Sequence, residues 1–175
     1  ILHGLADIRL AAKNEGLHIK IDAAAEYFID EHFIEMLRSG EPLLTLPGKR
    51  LLVELPYSTP LMNTAETLFL IIEKGYRPVL AHPERYTYFY NSPEVYEKFC
   101  NQGCELQMNL LSLGKYYGEQ VHKMAIQLLK KGLITFIATD AHKIQHLELV
   151  QSLNSDQWLN TYTFSNKNIF GLIHQ

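Results

Sequence analysis

Five acidic or imidazole side chains recur at intervals that suggest joint work. Glu26, Glu54, His82 and the pair Asp140 and His142 stand at the ends of short apolar runs. With Asn109 in the fourth place, the successive spacings are 28, 28, 27 and 31 residues. Intervals of that size match one strand plus one helix, so each polar group falls at the same phase of a βα unit. In parallel α/β barrels that phase is the C-terminal strand edge, where active sites sit. Three carboxylates and two imidazoles gathered there would repel and perturb one another unless cations neutralised them. Mixed oxygen and nitrogen donors suit manganese, iron or zinc, and not calcium, which prefers oxygen ligands alone. Asp140 and His142 are alternate residues, so in an extended segment both can face one centre. Each residue taken singly has a plainer role: Glu54 as a strand-end acid, His82 as a hydrogen-bonded core histidine, Arg85 as the ion-pair partner of Glu84 or another acid. The shared phase is what favours a metal site. Asn109 is read as structural or as support for the site, and His146 as packing at a helix start. His3, His18, His32, His122 and His174 fall off phase and are assigned to surfaces or helix faces.

The elements that must position these residues follow a glycine cadence. Gly16, Gly48, Gly75, Gly103 and Gly132 precede apolar runs at intervals of 32, 27, 28 and 29 residues. Strands are expected at 17–25, 50–55, 78–81, 105–108 and 133–138. An opening helix would place Leu2, Leu5, Ala6 and Leu10 on one face, and a short helix is expected at 29–37. Asn63 with Glu66 resembles a capping box for a helix that ends at Lys74 and Gly75. Ser92-Pro93-Glu94 signals another start, leading to Gly103, and a third helix runs from about Tyr117 to Lys131. Further helices are expected near 146–153 and 166–173. Continuous apolar strands alternating with helices indicate a parallel sheet covered by helices. Tyr86, Tyr88, Phe89 and Tyr90 are assigned to burying helix-sheet surface rather than to walling a substrate pocket.

Composition narrows the function class. The 175 residues are 47% hydrophobic and 20% charged, which suits one soluble globular domain spanning 1–175. A formal net charge of −3 offers no basic surface for nucleic acid. The apolar run from Leu68 to Ile72 is far shorter than the ~20 residues of a membrane span, and no leader pattern opens the chain. A cytoplasmic protein without membrane insertion is expected. Cys100 and Cys104 lack partners for a metal or disulfide framework and are read as reduced core thiols.

Ala81-His82-Pro83-Glu84-Arg85-Tyr86, preceded by the strand ending in Glu54 and followed by Thr139-Asp140-Ala141-His142, resembles the polymerase and histidinol phosphatase (PHP) superfamily. Within it, the chain is similar to the bacterial tyrosine-protein phosphatases of capsule and exopolysaccharide synthesis, with Ala24-Ala25-Glu26-Tyr27 and Leu110-Leu111-Ser112-Leu113 fitting as well. The resemblance extends to about Glu148. It implies an α/β fold, a distorted seven-stranded (β/α) barrel, and up to three divalent metal ions, with manganese favoured over iron or zinc. It also implies hydrolysis of phosphotyrosine on a polysaccharide-assembly tyrosine kinase. By position, Glu26, Glu54, His82, Asp140 and His142 would be metal ligands and Arg85 a catalytic, phosphate-binding residue.

Two departures accompany the likeness. The group opens with a His-x-His motif, whereas this chain begins at Ile1 inside a helical pattern with His3 isolated. An N-terminally truncated, incomplete barrel of about five strands is therefore expected, completed by a longer chain or by association with a second copy through its open edge. The group also commonly carries a second arginine after Asp-x-His, where Lys143 and Gln145 stand here. The rival readings are a PHP phosphatase for a small ester such as histidinol phosphate, and a metal-free module for kinase docking or oligomerisation.

Overall fold

A computed structural model describes residues 1–153, and the helix expected at 166–173 lies outside them. Five parallel strands, β1 (Glu26–Phe28), β2 (Arg50–Glu54), β3 (Arg77–Ala81), β4 (Glu105–Asn109) and β5 (Phe136–Ala138), pair in sequence order. They alternate with α1 (Leu2–Asn14), α2 (Glu31–Ser39), α3 (Thr64–Glu73), α4 (Glu94–Asn101), α5 (Glu119–Lys130) and α6 (Ile144–Ser152). A parallel neighbour can be reached only by a crossover, and α2 to α5 supply these crossovers. Among the described residues the sheet does not close, and β1 and β5 remain its edges.

Helices α2 to α5 bury one apolar stripe each. Phe33 and Leu37 of α2, Leu68 and Ile71 of α3, Tyr96 and Phe99 of α4, and Met124, Ala125, Leu128 and Leu129 of α5 join Leu51, Val53, Leu80, Leu106 and Met108 of the strands in one core. In β2 burial alternates: Leu51 and Val53 are buried, while Arg50, Leu52 and Glu54 lie on the other, partly open face. Central β3 is buried from Pro78 to Ala81, the continuous run expected where both faces are covered. At the N-terminal end of the sheet Glu105 accepts from Arg50 Nε (2.7 Å) and Arg77 Nη2 (3.0 Å), tying β2, β3 and β4 together.

Several expectations are corrected. Residues 17–25 form no strand, because β1 pairs with β2 in the register Glu26 to Leu52. Ala24 is thus level with the first residue of β2, and everything before it runs past the point where a ladder partner exists. Arg9 holds this stretch from α1 instead, through Ile21 O (2.8 Å) and Asp22 (2.7 Å). Helix α1 itself buries none of its residues among the described ones. Asn63 makes no side-chain cap; α3 begins with Thr67 N donating to the Asn63 carbonyl at 3.0 Å. Likewise Ser92 accepts through its carbonyl, from Val95 N at 3.1 Å, and α4 starts at Glu94. A true N-cap occurs at Asp30, whose carboxylate accepts from Phe33 N at 2.8 Å. Cys104 is buried, Cys100 is half-buried, and both are free thiols.

Leu106 lies fully buried in central β4. Leu106→Ala should lower the unfolding free energy by about 2–5 kcal/mol in urea titrations, through lost burial and a residual cavity. Arg77→Ala, which removes a half-exposed partner and leaves Glu105 paired with Arg50, should cost no more than about 1 kcal/mol.

Candidate active site

Strand register determines what the C-terminal edge of the sheet can present. Glu54 is the last residue of β2, His82 follows β3, Asn109 ends β4, and Asp140 and His142 follow β5. Glu26 differs from expectation, since it opens β1 instead of ending it. Phe28 is level with Glu54, so Glu26 lies two residues lower but on the same face. Its side chain bridges the offset, and Glu26 Oε1 comes within 3.2 Å of His82 Nε2. Glu54 Oε2 approaches the same nitrogen at 3.5 Å.

The segment after β3 is shaped to present two functional groups from a buried turn. His82 adopts φ 33°, a left-handed conformation that a non-glycine residue reaches only under constraint. The constraint is visible. Tyr86 Oη accepts from Leu55 N (2.9 Å) and donates to Ala81 O (2.9 Å), stapling the turn to the ends of β2 and β3. Tyr96 Oη donates to Pro83 O at 2.5 Å. Glu84, fully buried, accepts from Asn109 N (3.0 Å) and Ser112 Oγ (2.7 Å), which ties the turn to β4. Burial pushes the Glu84 carboxyl above the usual range, against the pull of those donors. Tyr88 packs on Tyr86 with Phe89 beside it, so these rings seal the turn from below and do not line the cleft.

The cleft encloses about 530 Å³ and is lined by Glu26, Glu54, Tyr57, His82, Arg85, Tyr116, Tyr117, Asp140, His142, Lys143 and His146. All five residues singled out by spacing thus share one concavity with Arg85. They form two groups within it. Donor atoms of Glu26, Glu54 and His82 lie within 4.8 Å of one another, close enough for one divalent ion to bridge them. Buried His82 resists charge by desolvation, yet hydrogen bonds to Glu26 and Glu54 prevail and push it up to about 9. Glu54 is held below its ordinary value chiefly by the hydrogen bond to His82, against the effect of burial. The pair of acids therefore creates a strong demand for positive charge. Two carboxylates and an imidazole are a donor set that fits a first-row divalent metal, with His82 Nε2 directed at the acids and Nδ1 buried without a partner.

Asp140 and His142 form the second group. Asp140, at φ 50°, accepts from Arg85 Nη1 (3.4 Å) and Asn109 Nδ2 (2.9 Å). His142 Nδ1 lies 2.9 Å from the Asp140 carbonyl, and its side chain is 75% exposed. Asn109 is therefore more than a strand terminus: it holds Asp140 and Tyr117 with one amide nitrogen while its Oδ1 caps Leu111 N at 2.9 Å. Sequence spacing placed Asn109 correctly and did not reveal that contact. Tyr57, Tyr116 and Tyr117, from the segments after β2 and β4, carry no periodic signal and were missed. His146, expected as packing at a helix start, lies in the first turn of α6, and it also faces the cleft and meets Tyr116 Oη at 3.2 Å.

A parallel sheet wrapped by helices, with carboxylates and imidazoles collected at the C-terminal edge of its strands, defines an α/β domain with a candidate metal centre at that edge. Residues 1–149 match the family described as capsular polysaccharide synthesis, CpsB/CapC, and the chain belongs to that family. Among its relatives is the tyrosine-protein phosphatase YwqE of Bacillus subtilis, 27% identical over 157 residues that cover 75% of this chain and 61% of the relative. Another is the tyrosine-protein phosphatase CpsB of Streptococcus pneumoniae, 26% identical over 149 residues, 82% of this chain and 61% of the relative. A solved structure from work on YwqE and CpsB, described there as unique metal-dependent tyrosine phosphatases, superposes with a TM-score of 0.73 at 24% identity. That match covers 87% of this chain and 65% of the other. The chain thus spans about three-fifths of the length of the curated relatives it matches.

Metal titration checks the two-group description. In the full-length protein Glu26→Gln, Glu54→Gln and His82→Ala should each weaken divalent-metal affinity by at least about tenfold, measured by calorimetry. Arg85→Ala should leave metal content unchanged; a loss as large as that of His82→Ala would mean that Arg85 supports the metal donors instead of an anion.

Proposed function

We propose that the full-length protein is a metal-dependent phosphatase acting on phosphotyrosine in a protein substrate. The observation that carries this reading is the convergence of Glu26, Glu54, His82, Asp140 and His142 with Arg85 in one cleft. Glu26, Glu54 and His82 would hold one divalent ion, and Asp140 and His142 would contribute to others, up to three in the complete site. Manganese is the preferred occupant, with iron and zinc as alternatives that the same donor types accept. When bound, such ions supply Lewis-acid chemistry for phosphate-ester hydrolysis. Arg85 offers a permanently charged fork of N–H donors for the non-bridging phosphoryl oxygens, where negative charge must be held during transfer. The phenolate of phosphotyrosine leaves as the base of an acid with pKa about 10, so the chain need not provide a strong proton donor. Neither cysteine fits a nucleophilic role. Burial raises Cys100 to about 11 and Cys104 further, and neither borders the cleft.

Family membership and the relatives' names support a place in capsular polysaccharide synthesis. The partner protein we propose, on the sequence resemblance alone, is a tyrosine kinase of that assembly. Among the described residues no helix is long and apolar enough to cross a membrane.

Steady-state kinetics on the metal-loaded full-length protein test the reading. The kcat/KM for a phosphotyrosine peptide should exceed that for histidinol phosphate. The opposite order would assign the site to small esters. Arg85→Ala should lower kcat by about 10²–10³-fold, and Asp140→Asn at least about tenfold, with thermal unfolding little changed.

A further inference from the structure

Arg85 is held in an unusual way for a residue expected to grip an anion. Its ion pair with Asp140 is long, 3.4 Å, and no other carboxylate reaches it among the described residues. What does meet it is aromatic: Arg85 Cζ lies 4.5 Å from the centroid of Tyr57 and 4.4 Å from that of Tyr117. A guanidinium lying over ring faces is attracted by their quadrupoles and loses rotational freedom, while its N–H edge stays available.

Each ring is fixed in turn. Tyr57 Oη donates to Glu54 Oε2 at 3.2 Å and lies 3.3 Å from His82 Nε2. Its ring stacks on His82 (5.4 Å) and on Tyr86 (6.0 Å). Tyr117 Oη accepts from Asn109 Nδ2 at 3.1 Å, and its ring meets Tyr116 edge-on at 4.9 Å and 78°. The arginine is thereby referenced to the ends of β2, β3 and β4 at once. Burial raises the pKa of both hydroxyls.

We infer that Tyr57 and Tyr117 are positioning residues that clamp the Arg85 guanidinium, pre-organising it as an anion receptor beside the Glu26, Glu54 and His82 cluster. The inference rests on the phosphate-binding role proposed for Arg85. A clamped fork gives up little side-chain entropy when an anion arrives, whereas a free arginine gives up most of it then. The role is distinct from packing, because it depends on the electrostatic face of the ring as well as its shape.

That distinction supplies the test. In the metal-loaded full-length protein, residue 117 is replaced by phenylalanine (Tyr117→Phe) and, in a second variant, by pentafluorophenylalanine, nearly the same in shape but with its quadrupole inverted. Position 57 is treated likewise. Inorganic phosphate affinity is read by calorimetry and metal content by elemental analysis. Each phenylalanine variant serves as the reference for its fluorinated counterpart, because both lack the hydroxyl. The fluorinated variant at each position should bind about two- to fivefold more weakly than its phenylalanine counterpart, with metal content equal. Equal phosphate affinity for the two ring types at both positions overturns the clamp. The parallel Arg85→Ala variant separates the two ideas. If it binds phosphate as tightly as the parent, the anion-binding role of Arg85 fails and the clamp with it. If it loses affinity while the ring variants do not differ, the clamp alone fails.

Discussion

The site depends on a single forced turn. Directly after β3 the chain places His82 in a left-handed conformation, and within three residues it must also deliver Arg85. Such a backbone costs on the order of 1–3 kcal/mol and persists only where its surroundings over-determine it. Here four anchors do so: the Tyr86 hydroxyl between β2 and β3, the Tyr96 hydroxyl on Pro83, the Glu84 carboxylate against Asn109 and Ser112, and the His82 amide on Gln107 O at 2.6 Å. Three of these reach into the packed core, so the hydrophobic interior stabilises the strained turn. The Glu26, Glu54 and His82 cluster on one side and the Arg85 guanidinium on the other are then held at a fixed separation.

The parallel sheet supplies the rest. Every strand runs the same way, so every strand end falls on one edge, and groups distant in sequence become neighbours without any long-range pairing motif. Charge is divided by end. Arg50 and Arg77 share the Glu105 carboxylate at the N-terminal edge, leaving an excess of positive charge there, while acids and imidazoles at the C-terminal edge remain poorly compensated. That imbalance raises His82 and makes the edge a place for cations.

Much of this was legible in the residues, and what was not has a physical cause. Glu54, His82, Asn109 and Asp140 stand at strand ends because the βα unit has a nearly constant length, which spacing alone can detect. Glu26 was identified by the same cadence but misplaced on its strand. Alternating Leu17, Ile19 and Ile21 look like a strand, and only the register with β2 reveals that they have no neighbour to pair with. The caps at Asn63 and Ser92 were assigned from residue type, whereas the carbonyls of those residues, a feature every residue shares, accept the first helical bonds. Tyr57 and Tyr117 lie in irregular segments, and their importance arises from contacts with Arg85 that no period encodes.

The double duty of the turn after β3 also shapes how the protein can change over generations. In most α/β barrels the loops at the active edge vary freely because the scaffold below does not depend on them. Here Tyr86, Glu84 and Pro83 seal the interior while their neighbours His82 and Arg85 face the cleft, so drift at one position endangers both folding and the geometry of the cleft. Innovation in what the cleft accepts is channelled to the segments after β4 and β5, whose Tyr116 and Lys143 border the cavity without filling the core.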